Sequence, residues 1–238
     1  MKQIHYLQST IFVVALLISN GVIFPAEASK PESRTMHNLE GWQVFVDDRL
    51  ENDELGKHAV RLLSNALYDI AIQLPEKSVE KLKQVKIYLD LSHGELTSAQ
   101  YHPSAQWLTD HDYDVELAKS VHIPVAASFA SKNLQHEQPW MVLHELAHAY
   151  HDQFLEDGFE NKPIRRLWRS TLDAGKYEQT LHVNGSKTKH YALTNQMEFF
   201  AEMTESYYGR NDFFPFVRGE LLSDFPECCE LMQNVWEK

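Results

Sequence analysis

What most restricts this chain is a stretch of about sixteen residues, Trp140 to Leu155, that holds no helix breaker and carries His144-Glu145-Leu146-Ala147-His148 inside it. Pro139 stands just ahead of it, where a missing N–H costs a helix nothing. Side chains four apart on a helix rise from one face, so His144 and His148 come to a separation that a single zinc ion bridges. Glu145 points slightly around the same face. There it reaches a water held by the ion but stays outside the ion's own ligands, which is the position of a general base. Val142, Leu143, Leu146 and Ala147 make the surroundings apolar, so the histidines need partners. The plainer alternative is a pair of core histidines satisfied by hydrogen bonds.

Two histidines leave a zinc site one protein ligand short. His151 lies on the same face, but seven residues place it about 10 Å from His144 along the axis, too far for one ion to join both. It reads as a cleft or surface histidine. The metzincin pattern would put a third histidine six residues after the second; Phe154 stands there, and His151 replaces the glycine that pattern expects. The better candidate is Glu198, in Asn195-Gln196-Met197-Glu198-Phe199-Phe200-Ala201-Glu202. Glu198, Glu202 and Glu205 line one face of a helix whose Phe199, Phe200, Met203 and Tyr207 bury most of it, and a buried carboxylate needs a cation or donors. Glu202, one turn beyond Glu198, is expected to accept the free ring N–H of a ligand histidine.

Elsewhere the pattern predicts a strand over 42–47, a helix over 53–73 up to Pro75, a short helix after it, and an alternating, half-buried strand over 85–91. Residues 92–120 keep no period and read as a long ordered loop. A strand-like run follows over 120–130, where Pro124 lacks the N–H of a central strand, so an edge strand is expected there, open to an extended substrate. Pro163 starts a helix closed by Gly175, and Asn184-Gly185 joins two segments suited to a hairpin. Thr194 is expected to cap a helix to Tyr208 with Gly209 past its end, and a last helix spans Pro226 to Trp236. The fold class is α+β: a small mixed sheet with an edge strand beside the His144 helix, then a mainly helical C-terminal part.

Met1 to Ala28 reads as a signal peptide, with Lys2, the apolar run Ile11 to Ile18, and Ala26-Glu27-Ala28 as a cleavage signal after Ala28. The run falls short of the ~20 residues that cross a bilayer, so no stable membrane insertion and a secreted or periplasmic protein are expected. Residues 29–40 read as a flexible leader and 41–238 as one catalytic domain. The formal charge of −12, from 34 acidic against 22 basic residues, opposes a phosphate backbone, so nucleic acid is not an expected partner. Cys228 and Cys229 are adjacent and cannot staple distant segments; a pair of small residues near the last helix is the simpler reading beside a strained vicinal disulfide. Asn184-Gly185-Ser186 fits a glycosylation sequon. Asn211-Asp212-Phe213-Phe214-Pro215-Phe216 reads as an aromatic cover over the core, or else a wall for substrate.

His144 to His148, followed by Tyr191 and, seven residues later, Glu198-Phe199-Phe200-Ala201-Glu202, resembles the gluzincin metallopeptidases of the anthrax lethal factor and Pro-Pro endopeptidase type over residues 140–208. The resemblance implies a zincin-like fold and one zinc ion held by His144, His148 and Glu198. It also implies Glu145 as base and Tyr191 as the hydroxyl that steadies the oxyanion. A neutral phenol in a dry cleft suits that role, with His182 and His190 as rival donors. The expected function is zinc-dependent hydrolysis of peptide bonds in a protein or peptide substrate, Glu145 taking a proton from the attacking water and passing it to the leaving amine. Alternatives are a zinc hydrolase of a non-peptide amide or cell-wall fragment, and a non-catalytic zinc-binding domain. With no cysteine upstream of the helix to occupy the metal, no thiolate latch is expected.

Overall fold

The computed structural model describes residues 29–237, so the expected signal peptide and its cleavage site lie outside the described residues. The chain is mixed α+β, more than half helical, with a small mixed sheet. Its first strand, β1 (Arg34–Leu39), corrects the expected flexible leader, because it pairs antiparallel with β2 (Trp42–Asp47) across its whole length. Glu40 and Gly41, at φ +53° and +95°, form the two-residue turn whose twist matches that of the strands it joins. β1 shows no apolar alternation because it is an edge strand with little to bury.

On β2, Trp42, Val44 and Val46 turn into the core while Gln43 stays in solvent. A 3-10 turn at Asp48–Leu50 leads into helix α1 (Glu54–Gln73), capped by Asp53 and burying Ala59, Leu63, Leu67 and Ile70. Gly56 in its first turn has one neighbour that decides its identity: a Cβ there would lie 2.0 Å from the Leu50 carbonyl oxygen. Helix propensity alone favours alanine by about 1 kcal/mol. Here the backbone of Leu50 must move instead, so Gly56→Ala is expected to lower stability by about 2 kcal/mol or more, read by urea denaturation.

After α2 (Glu76–Leu82), strand β3 (Ile87–Leu89) runs parallel to β2 and is buried at every residue, not half-buried, since layers cover both of its faces. The expected loop over 92–120 holds a two-residue strand, β4 (Gln100–Tyr101), a helix α3 (Ala105–Asp110) capped by Ser104, and a 3-10 turn at Val115–Leu117. Strand β5 (Val121–Ile123) is parallel to β3 and antiparallel to β4, giving the order β1-β2-β3-β5-β4. The expected edge strand is therefore internal and β4 forms the edge. Pro124 falls one residue past the end of β5, where the ladder needs no N–H from it.

Two short helices, α4 (Ala126–Phe129) and α5 (Lys132–Glu137), precede α6 (Met141–Phe154), the helix of the two histidines. Then come α7 (Lys162–Asp173), capped by Asn161, and the hairpin of β6 (Thr180–Leu181) and β7 (Lys187–Thr188) around Asn184-Gly185. Next is α8 (Gln196–Tyr208), followed by α9 (Arg218–Asp224) and α10 (Pro226–Trp236). The cap of α8 is Asn195 rather than Thr194; its side chain accepts the N–H groups of Met197 and Glu198 at 2.8 and 2.9 Å. Cys228 and Cys229 are free thiols buried on α10. No helix among the described residues is long and apolar enough to cross a membrane.

α6 and α8 pack against each other. Gly209, just beyond α8, touches the Trp140 ring at the head of α6, where a Cβ would come within 2.2 Å of it. The end of α8 thus meets the start of α6, and the helices run antiparallel. α10 closes the pair from behind: the Trp236 ring stacks on Tyr150 of α6 at 4.1 Å, and its indole N–H donates to Thr204 of α8 at 3.2 Å.

Candidate metal centre

The antiparallel crossing brings His144 and His148 over the first turn of α8. Their Nε2 atoms lie 3.1 and 3.3 Å from one atom, Oε2 of Glu198. A tetrahedral ion with bonds of about 2.0–2.1 Å sets its ligand atoms about 3.3 Å apart, so the spacing fits one such ion. The residues suit zinc in kind as well as spacing, being two imidazoles and a carboxylate. Burial opposes charge on His144, yet hydrogen bonds with Glu198 and Glu205 outweigh it and hold its proton well above the ordinary imidazole range. In the same way His148 and His144 overcome burial and hold the Glu198 carboxyl well below its ordinary range. A positive charge is what this geometry favours at the point where the three donors meet.

Glu145 is buried and next to the cluster; burial raises its carboxyl, while His148 and His144 pull it back. Its Oε2 accepts the backbone N–H of Tyr101 at 2.7 Å, so the edge strand β4 fixes the carboxylate. Tyr101 is itself held to α6, its hydroxyl donating to Asp152 at 2.5 Å and accepting from Gln153 at 3.1 Å. Nothing in the sequence pattern of 92–120 marked that link.

Glu202 is expected to accept the free ring N–H of a ligand histidine, but at His144 Glu205 takes that place. Nδ1 of His144 meets Oε1 of Glu205 at 2.7 Å, whereas Glu202 stands 3.6 Å away and takes the side-chain N–H of Asn211 at 2.9 Å. The His144 ring spans two turns of α8, its Nε2 on Glu198 and its Nδ1 on Glu205, seven residues further along. Glu205→Ala is expected to weaken metal affinity about 10- to 100-fold, and Glu202→Ala less, in a competition titration with a chelating dye. Equal losses would return the role to Glu202.

Tyr191 opens a 3-10 turn, Tyr191–Leu193, and keeps 39% of its surface exposed. Partial burial pushes its phenol up to about 12, and the charges of Glu198, Glu202 and Glu145 act in the same direction, against that of His144. His190 is buried, stacks on Phe213 at 4.8 Å and accepts the Ala192 N–H, so it presents nothing to a substrate. His182 is occupied by Asp212 at 3.4 Å and by the Asn184 N–H. In the segment 211–216, Asn211, Asp212 and Pro215 are buried and the three phenylalanines partly so; Phe213 lies against His182 and His190.

His151 is neither in a cleft nor on the surface. It is fully buried, edge-on to Phe159 and Phe200 at 5.2 and 5.1 Å, with both ring nitrogens unpartnered. The layer formed by Phe159 and Phe200 closes over that side of α6. Comparison of the chain with family models, curated proteins and solved structures finds no match.

Proposed function

We propose that this chain is a secreted zinc metallopeptidase with a zincin-like fold. The observation that carries the reading is the convergence of His144, His148 and Glu198 on one point with Glu145 anchored beside them. Ala26-Glu27-Ala28 supports export. A zinc ion at that point would supply a Lewis acid that polarises the scissile carbonyl and acidifies a water. Glu145, with one oxygen tied to the Tyr101 N–H, uses the other to take the proton of the attacking water and carry it to the leaving amine. Tyr191 stays protonated at neutral pH and donates to the oxygen on which negative charge develops.

The test exposes the purified protein, zinc-loaded, to a diverse peptide mixture and identifies new termini by mass spectrometry. Termini that appear with the unaltered chain and vanish with Glu145→Gln support a peptidase. Silence from a folded, zinc-loaded protein would sink it and turn attention to non-peptide amides.

A further inference from the structure

A second group of two histidines and a carboxylate lies on the other face of the sheet. Successive strand residues face opposite ways, so Tyr88, Asp90 and His122 stand away from the core side that holds Ile87, Leu89, Val121 and Ile123. Asp90, His93 and His122 are fully buried, and a nitrogen or oxygen from each lies within 4.8 Å of the others. Oδ2 of Asp90 receives His93 Nδ1 and His122 Nε2, both at 2.8 Å. This is a ligand set that transition metals take, and it repeats the chemistry of His144, His148 and Glu198.

The two clusters differ in one respect: here a cation from the chain itself is in place. The guanidinium of Arg34, on β1, grips Asp90 through Nε to Oδ1 at 2.8 Å and Nη2 to Oδ2 at 2.9 Å. Nη2 also stands 3.4 Å from His93 Nδ1, in the space a metal ion joining these ligands would need. The far nitrogen of His93, Nε2, is buried without a hydrogen-bond partner, 3.6 Å from Asp114 Oδ2.

We infer that Asp90, His93 and His122 form a cation site plugged by Arg34, and that displacing Arg34 converts it into a second site for a divalent transition metal. Removing the guanidinium strands a buried carboxylate between two imidazoles, and a divalent ion restores the missing charge. The ligand atoms need only open from 2.8 Å toward about 3.3 Å, into the volume the guanidinium gives up, with water as a fourth ligand. The plug rides on an edge strand, paired on one side only.

The test dialyses the full chain and its Arg34→Ala, Arg34→Met and Arg34→Ala/His122→Ala variants against zinc or cobalt(II), and counts metal per chain by mass spectrometry. Both single Arg34 variants should hold one ion more than the unaltered chain, and the double variant should lose it. The difference between variants carries the inference, so it stands or falls apart from the His144 centre. No gain in a folded Arg34→Ala protein, or a second ion already present in the unaltered chain, would overturn it. If Arg34→Ala is unfolded without metal, added zinc should restore its circular dichroism spectrum; failure of that rescue overturns the proposal too.

Discussion

Glu145→Gln should keep its zinc and lose about a thousandfold in turnover. The amide has the shape of the carboxylate and can still accept the Tyr101 N–H through its oxygen, so the side chain stays where it is. His144, His148 and Glu198 are untouched, and metal content should be unchanged. What disappears is the capacity to take up a proton, and a positioned general base contributes about 10²- to 10⁴-fold. Metal per chain and turnover of a peptide from the cleavage screen, measured side by side, check both halves. A variant retaining a tenth of the rate would show that the proton goes elsewhere.

Stripping the metal should cost the protein about 10 °C of melting temperature. Glu145, Glu198, Glu202, Glu205 and Asp212 gather around the two helices, and among the described residues no lysine or arginine pairs with any of them. Burial raises the carboxyls of Glu202 and Glu205; the charges of Asp212 and Glu205 add to it at Glu202, those of Asp212 and Glu145 at Glu205, while His144 pulls both back. A divalent ion relieves that excess in the folded state alone. At a free concentration 1,000 times its dissociation constant it stabilises by about 4 kcal/mol. For a chain of this size each kcal/mol moves the midpoint by about 2–4 °C. Scanning calorimetry with and without a chelator measures the gap; a gap under about 2 °C would mean the cluster is balanced without metal.

The parts of this arrangement legible in the sequence are those that repeat along one helix. His144 and His148 are fixed by their spacing, and the aromatic neighbours of Glu198 marked it as a buried acid in need of a cation. The course of α1 followed from the helical recurrence of its apolar residues, and the hairpin at Asn184-Gly185 from turn chemistry, in the same local way. Which acid serves His144 was not legible, because Glu202 and Glu205 both face it and only the direction in which α8 crosses α6 decides between them. The edge of the sheet was misplaced for a similar reason. Pro124 signals that an N–H is missing but not on which side of a strand end it falls, and a two-residue strand such as β4 is too short to show a period. β1 escaped notice because a polar edge strand resembles a loop in composition; Arg34, its strongest tie to the fold, finds Asp90 56 residues away.

The packing of Trp236 against α6 and α8 also makes the helix pair depend on α10. Its ring lies on Tyr150, its indole reaches Thr204, and its carbonyl oxygen accepts the Ser78 hydroxyl at 2.6 Å, so one residue of α10 ties together α2, α6 and α8. Without that residue the two helices of the candidate centre lack their backing. A change at Trp236 therefore reaches His144, His148 and Glu198 through the backs of their helices, without touching any of the three.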